Sequence, residues 1–235
     1  MTEDMTFAGF LHQVSPTYRW DYPYLRYIQR ALQLMTDGVT EKLMILSPPR
    51  HIKTAMTTVR YAAYRRARQP FLRVLLSGPS QQLANNYSRR AALVAGGAFR
   101  AAGVGQALAG YGADLIIIDD PIRLFDQASA VELERMYEWY TTSVATRLLQ
   151  GGQIMLNQSR VHQDDLAGRI LKSPDGPHWT VVQLPAEAEE DDPLGRALGA
   201  ALIPERYGRR ALASIRAAIG ADEYAALYQQ RPRDR

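Results

Sequence analysis

The sequence predicts an α/β fold of three layers, a mostly parallel central sheet with helices on both faces. Three observations carry this: short wholly apolar runs such as Lys42–Ser47 (KLMILS) and Asp114–Asp120 (DLIIIDD), segments of helical period between them, and Pro or Gly breaks at the joins. Apolar runs without polar alternation suit strands covered on both faces, and strands alternating with helices imply a parallel sheet.

The elements follow in order. Leu25, Ile28, Leu32 and Met35 recur at helical spacing behind Asp21, and Gly38 stops them, so one amphipathic helix is expected to open the chain. KLMILS is then a strand ending in Pro48-Pro49, and residues 53–68 form a helix halted before Pro70. A second strand at 72–77 precedes a helix over about 80–94, started by Pro79. Residues 96–112 are rich in Gly and Ala and read as a loop with a short strand pair. DLIIIDD is a buried strand closed by two carboxylates. Ser129 and Glu132 have capping-box spacing for a helix to about Leu149. Strands at 153–158 and 178–184 flank a short helix started by Asp164, and 209–230 is two helices split at Gly220.

At 235 residues, 46% hydrophobic and 22% charged, the chain has the composition of one large globular domain, and no apolar run reaches membrane-spanning length. Acidic Glu3 and Asp4 stand where a signal peptide carries positive charge, and there is no Cys to form a disulfide, so a reducing cytoplasm is expected. The net charge of +4 favours a polyanionic partner without identifying one. Lysine occurs only at 42, 53 and 172, which singles out Lys53.

Lys53 lies in the segment with the most chemical content. A phosphate-binding loop needs consecutive backbone N–H groups, a helix N-terminus behind them, a Lys for charge and a hydroxyl for Mg²⁺. Ser47–Thr54 (SPPRHIKT) supplies the strand before, the helix after, Lys53 and Thr54, but has Ser47 and Ile52 where glycines usually stand. The other reading is a Pro-rich turn feeding an ordinary helix. DLIIIDD weighs between them, because a carboxylate at the C-terminal edge of a neighbouring strand would hold hydrated Mg²⁺ (Asp119) and a second would orient or deprotonate the attacking water (Asp120). The joint reading is a P-loop NTPase-like fold binding ATP and Mg²⁺. His162, Asp164 and Asp165 lie close in sequence but read as the start of a helix, not a metal cluster.

Several segments resemble the ATPase half of tailed-phage large terminase subunits, the DNA-packaging motors. They are PPRHIKT, GYGADLIIIDDP, WYTTSVATRL, SRVHQDDLAGRIL, LPAEAEEDDPLGR and EYAALYQQRP, occurring in the family's order through most of the chain. The resemblance implies a phosphate site at Pro49, Arg50, His51, Ile52, Lys53 and Thr54, with Mg²⁺ held by Thr54 and Asp119 and water activated by Asp120. Arg50 would neutralise transition-state charge, its alternative being a surface arginine paired with an acid. Ser159 and Arg160 occupy the position of the family's coupling segment; their alternative is a polar strand end capping the helix at Asp164. Trp20–Tyr24 would lie near an adenine base, or else form staple contacts.

Further implications are a helical lead-in over 1–40, an ATPase core over 41–186 and a closing acidic loop with helices over 187–235. No nuclease domain is expected. The implied partners are double-stranded DNA, a small terminase subunit and a portal protein, with a homo-oligomeric ring working in the bacterial host cytoplasm and no membrane. The chain departs from the family at Ile52, at Val161 where Trp is usual, at Ala109 and Tyr111 where Thr and Arg are expected, and in a shortened stretch before Gly97. A β-branched residue in place of the loop glycine would hold the backbone away from phosphate, so the alternative function is a catalytically inactive remnant that binds DNA or a partner.

Overall fold

The computed structural model describes residues 5–51, 53–108, 110–122 and 129–233. Ile52 and Ala109 therefore lie outside the described residues. The sheet has strands β1 Lys42–Leu46, β2 Val74–Gly78, β3 Arg100–Gly103, β4 Ala113–Asp119, β5 Leu148–Gln158 and β6 Thr180–Gln183, in the order β3-β2-β4-β5-β1-β6. Every neighbouring pair is parallel, as the unbroken apolar runs require.

Alternate residues of β1, β2, β4 and β5 enter two cores. Leu43, Ile45, Leu76, Leu115, Ile117 and Met155 pack under α1 Phe7–Val14, α2 Pro23–Thr36, α3 Tyr61–Arg68 and α4 Gln81–Ala95. Met44, Leu46, Leu75, Ile116, Ile118 and Leu156 pack under α5 Ala130–Trp139 and α6 Leu166–Lys172. Each fully buried Leu or Ile contributes roughly 1.5–3 kcal/mol relative to an exposed one, so these two faces fix the sheet register. Helices α7 Arg209–Ile219 and α8 Ala221–Leu227 form a smaller cluster with Ala186, Leu212 and Tyr224.

Several boundaries differ from expectation for local reasons. A helix, α1, precedes the expected first one; Thr6 caps it by accepting from Gly9 N–H, and Phe7 packs on Tyr61 and Tyr64. Among the described residues of the 96–112 stretch one strand forms, β3, parallel to β2 at the sheet edge. Its outer groups are covered by α4: the Gln81 carboxamide donates to Ala101 C=O and accepts from Gly103 N–H, and Ser88 Oγ donates to Phe99 C=O. The capping box at Ser129 and Glu132 is present, but the helix it starts becomes π-helical at Tyr140–Val144 and 3-10 at Ala145–Arg147. Strand β5 then begins five residues earlier than predicted. Helix α6 is capped by Asp165, whose side chain accepts from Gly168 N–H, while Asp164 pairs with Lys172. Before β6, residues 176–178 are a 3-10 turn rather than strand.

Candidate functional site

A parallel sheet gathers its strand C-termini along one edge, and loops leaving that edge can share a site. β1 ends at Leu46 and runs through Pro48–His51 to Lys53, where the following helix starts. The expectation that Asp119 lies on a strand neighbouring β1 is not met: β5 separates β4 from β1. This intervening strand supplies Asn157 and leads to Ser159, two side chains that bridge the gap.

The bridge is continuous. Lys53 Nζ donates to Asp120 Oδ1 at 2.9 Å and to Ser159 Oγ at 2.8 Å. Ser159 N–H donates to the same Asp120 oxygen at 2.8 Å, and Ser159 Oγ donates onward to Ser47 C=O at 3.0 Å. Lys53 is only 5% exposed, so its charge is held by one carboxylate and one hydroxyl, with one N–H direction of its ammonium left unused. Next to it Asp119 is fully buried and accepts from Asn157 Nδ2, while its Oδ2 has no hydrogen-bond partner among the described residues. Burial, and then the charge of Asp120, push the Asp119 carboxyl up to about 7; Lys53, the Thr54 hydroxyl and Asn157 act in the opposite direction. A buried carboxylate oxygen without a donor is the kind of group a divalent cation satisfies. Among the described residues no cluster of three or more His, Asp or Glu forms a metal site, so any cation here would rely on Asp119, Thr54, water and ligand oxygens.

Backbone strain falls on the same parts. Among the described residues, non-glycine positive φ occurs at Arg50 (63°), Asp120 (41°) and Gln230 (57°). Such conformations persist where surrounding contacts over-determine them. Arg50 forms no ion pair with an acid among the described residues; burial and then Tyr207 raise the pKa of Tyr228 in the C-terminal segment, and the charge of Arg50 acts against them. His51 is buried, its Nδ1 donates to Pro49 C=O at 2.8 Å, and its ring stacks on Tyr207 at 4.9 Å and 21°. Desolvation lowers its pKa to about 4, so it is neutral near pH 7. Beyond the loop, the helix begins as a π-helix over Thr54–Arg60 with Thr57 Oγ1 donating to Lys53 C=O.

Arg160 turns away from Lys53. Its Nε donates to both oxygens of Asp165 at 2.9 Å, and its backbone N–H donates to Gln230 Oε1 at 3.0 Å. The structure thus brings together Lys53, Asp119, Asp120 and Ser159, leaves Arg160 as a link from β5 to α6 and the C-terminal segment, and puts Arg50 and His51 at the rim. Trp20 is a core residue, 1% exposed, with its indole N–H on Ser15 C=O and the Arg60 guanidinium 5.1 Å from its ring; it has no open face for a base. Tyr24 touches the loop through its hydroxyl, which donates to His51 C=O at 3.4 Å.

Asn157, Tyr207 and Gln230 were not singled out from sequence. Asn157 could have been found, since it is a polar interruption in an apolar strand. Tyr207 and Gln230 come from far along the chain, Gln230 lying 70 positions from Arg160, and carry no local signal.

No family model matches the sequence, and no curated protein does. Among solved structures, the crystal structure of the HK97 bacteriophage large terminase is similar, with a TM-score of 0.59 and 15% identity over 97% of this chain. The match covers 55% of that protein, so this chain spans about half its length. At that identity the likeness shows a shared α/β fold of the large-terminase type. Among the described residues no helix is long and apolar enough to cross a membrane.

Proposed function

We propose that the chain is an ATPase of the phage DNA-packaging motor type, hydrolysing ATP with Mg²⁺ to move double-stranded DNA. The observation that carries this is the convergence of Lys53, Asp119, Asp120 and Ser159 from three strand ends. The terminase-type fold supports the same reading.

In this reading Lys53 exchanges Asp120 for a phosphate oxygen, which frees the Asp120 carboxylate to orient and accept a proton from the attacking water. Thr54 and Asp119 would hold Mg²⁺, and the orphaned Asp119 Oδ2 fits that role. When bound, Mg²⁺ neutralises charge developing on the phosphate oxygens. Arg50 adds positive charge at the rim. Ser159 touches both Lys53 and Asp120, so exchange at Lys53 reaches Arg160, Asp165 and Gln230 through the chain beyond β5. The partners in this role are DNA, a small terminase subunit and a portal protein, with the subunits in a ring in the host cytoplasm.

Steady-state hydrolysis tests it. Wild-type protein is expected to release phosphate from Mg-ATP, faster with duplex DNA, and Lys53→Ala to lose at least a hundredfold. Equal turnover by the two proteins rules the assignment out. A second reading, a folded module that does not hydrolyse ATP, is favoured by Ile52 in the loop and by the engagement of Lys53 with Asp120. It predicts no calorimetric Mg-ATP binding by the wild type and recovery of binding in Ile52→Gly.

A further inference from the structure

The opposite edge of the sheet, where the strands begin, holds a buried arginine without an acid. Arg65, in the last turn of α3, is 5% exposed. Among the described residues it makes no ion pair; its side-chain bonds run from Nη1 to Tyr61 Oη at 3.1 Å and to Gln153 Oε1 at 2.6 Å. A guanidinium carries five N–H donors, and those on Nε and Nη2 find no acceptor among the described residues. Burying a cation with only neutral partners costs free energy that a counter-ion would recover.

The surroundings hold this charge in place. Gln153 Nε2 donates to Met35 C=O and to Thr40 C=O, which ties its carboxamide to the end of α2 and the start of β1. Tyr61 Oη is in turn hydrogen-bonded to Thr36 Oγ1 at 3.1 Å. Arg65 lines a cleft of about 610 Å³, with Gln69 and Phe71 on its wall. Gly38 and Gly151 also line it and leave it open, since a Cβ at either would meet nothing within 4 Å. The acid on this wall, Asp114, is committed to Arg73 through three hydrogen bonds.

We propose that this cleft is a phosphate-oxyanion site in which Arg65 supplies the fork of donors and Gln69 a further N–H. Phosphate is favoured over carboxylate because Arg66 shares the last turn of α3 with Arg65, and a doubly charged oxyanion gains more from such a field. The oxyanion belongs either to free phosphate or to a nucleic-acid backbone. The site lies across the sheet from Lys53 and does not depend on the nucleotide reading.

The test is titration of the full chain with inorganic phosphate, followed by the Arg65 Nε–H signal in a ¹H–¹⁵N spectrum. A saturable shift is expected, with affinity weakened about tenfold or more in Arg65→Met. Because Arg65 also braces Gln153, Gln69→Ala serves as a second variant outside the core, expected to weaken binding several-fold with an unchanged melting temperature. Competition by a short DNA duplex for the same signal identifies the backbone as the source; phosphate binding without competition identifies free phosphate. No saturable shift in the wild type, or an equal response to acetate, overturns the proposal.

Discussion

Asp119 and His51 sit on opposite sides of one electrostatic problem. Asp119 is held protonated up to about pH 7 by burial and by Asp120, and His51 is held neutral down to about pH 4 by burial. For Asp119 the native state keeps a proton that the unfolded state has lost, so its contribution is full below pH 4 and disappears as pH rises to 7. For His51 the unfolded state binds the extra proton, so its contribution grows from pH 4 to 6.5. The two slopes oppose one another in the wild type. In metal-free buffer, Asp119→Asn is therefore expected to gain stability with rising pH between 4 and 6.5 and to exceed the wild type at pH 8, read from urea midpoints. A pH profile parallel to the wild type would mean that Asp119 ionises normally. At this scale the sequence was informative where chemistry is local: the meeting of Lys53 with Asp120, beside Asp119, followed from residue type and position. The partner of Lys53 in the structure, Ser159, was assigned only by resemblance, because nothing local marks a contact across 106 residues.

Among the elements, α6 and the C-terminal helices decide how the site is braced. Gly168 lies in the first turn of α6, where an added Cβ would fall 1.8 Å from Gln163 C=O and 2.8 Å from Arg160 Nη2. The carbonyl is backbone and cannot swing away, so Gly168→Ala is expected to cost about 2 kcal/mol or more and to loosen the Arg160–Asp165 pair; chemical denaturation measures it, and a loss under 0.5 kcal/mol would show that the turn relaxes freely. Tyr207 reaches the Pro48–His51 loop from outside the sheet and stacks on His51. Tyr207→Ala is expected to weaken Mg-ATP binding several-fold while leaving the melting temperature within a few degrees, and unchanged affinity would reduce the stack to packing. Two helix starts were legible, since caps are written within four residues: Ser129 with Glu132, and Gly220 between α7 and α8; α1 was missed, and α6 is capped one residue later than expected. The π-helical windings after Lys53 and Tyr140 were not, because they share the apolar period of an α-helix and differ only in hydrogen bonding.

For the whole molecule, the parallel sheet followed from the alternation of apolar runs with amphipathic helices, but strand order did not. Apolar content says that a strand is buried on both faces and is silent about which neighbour it takes. Thus the interposition of β5 between β1 and the Asp119 strand emerged only in three dimensions, and with it the bridging roles of Asn157 and Ser159. The same arrangement leaves Lys53 paired with Asp120, so a nucleotide must displace that carboxylate to bind. The most direct measurement is a calorimetric titration of Mg-ATP into wild type and Lys53→Ala under matched conditions. The account predicts saturable, Mg²⁺-dependent binding by the wild type and loss of at least tenfold in the variant; equal affinity in both proteins would contradict it.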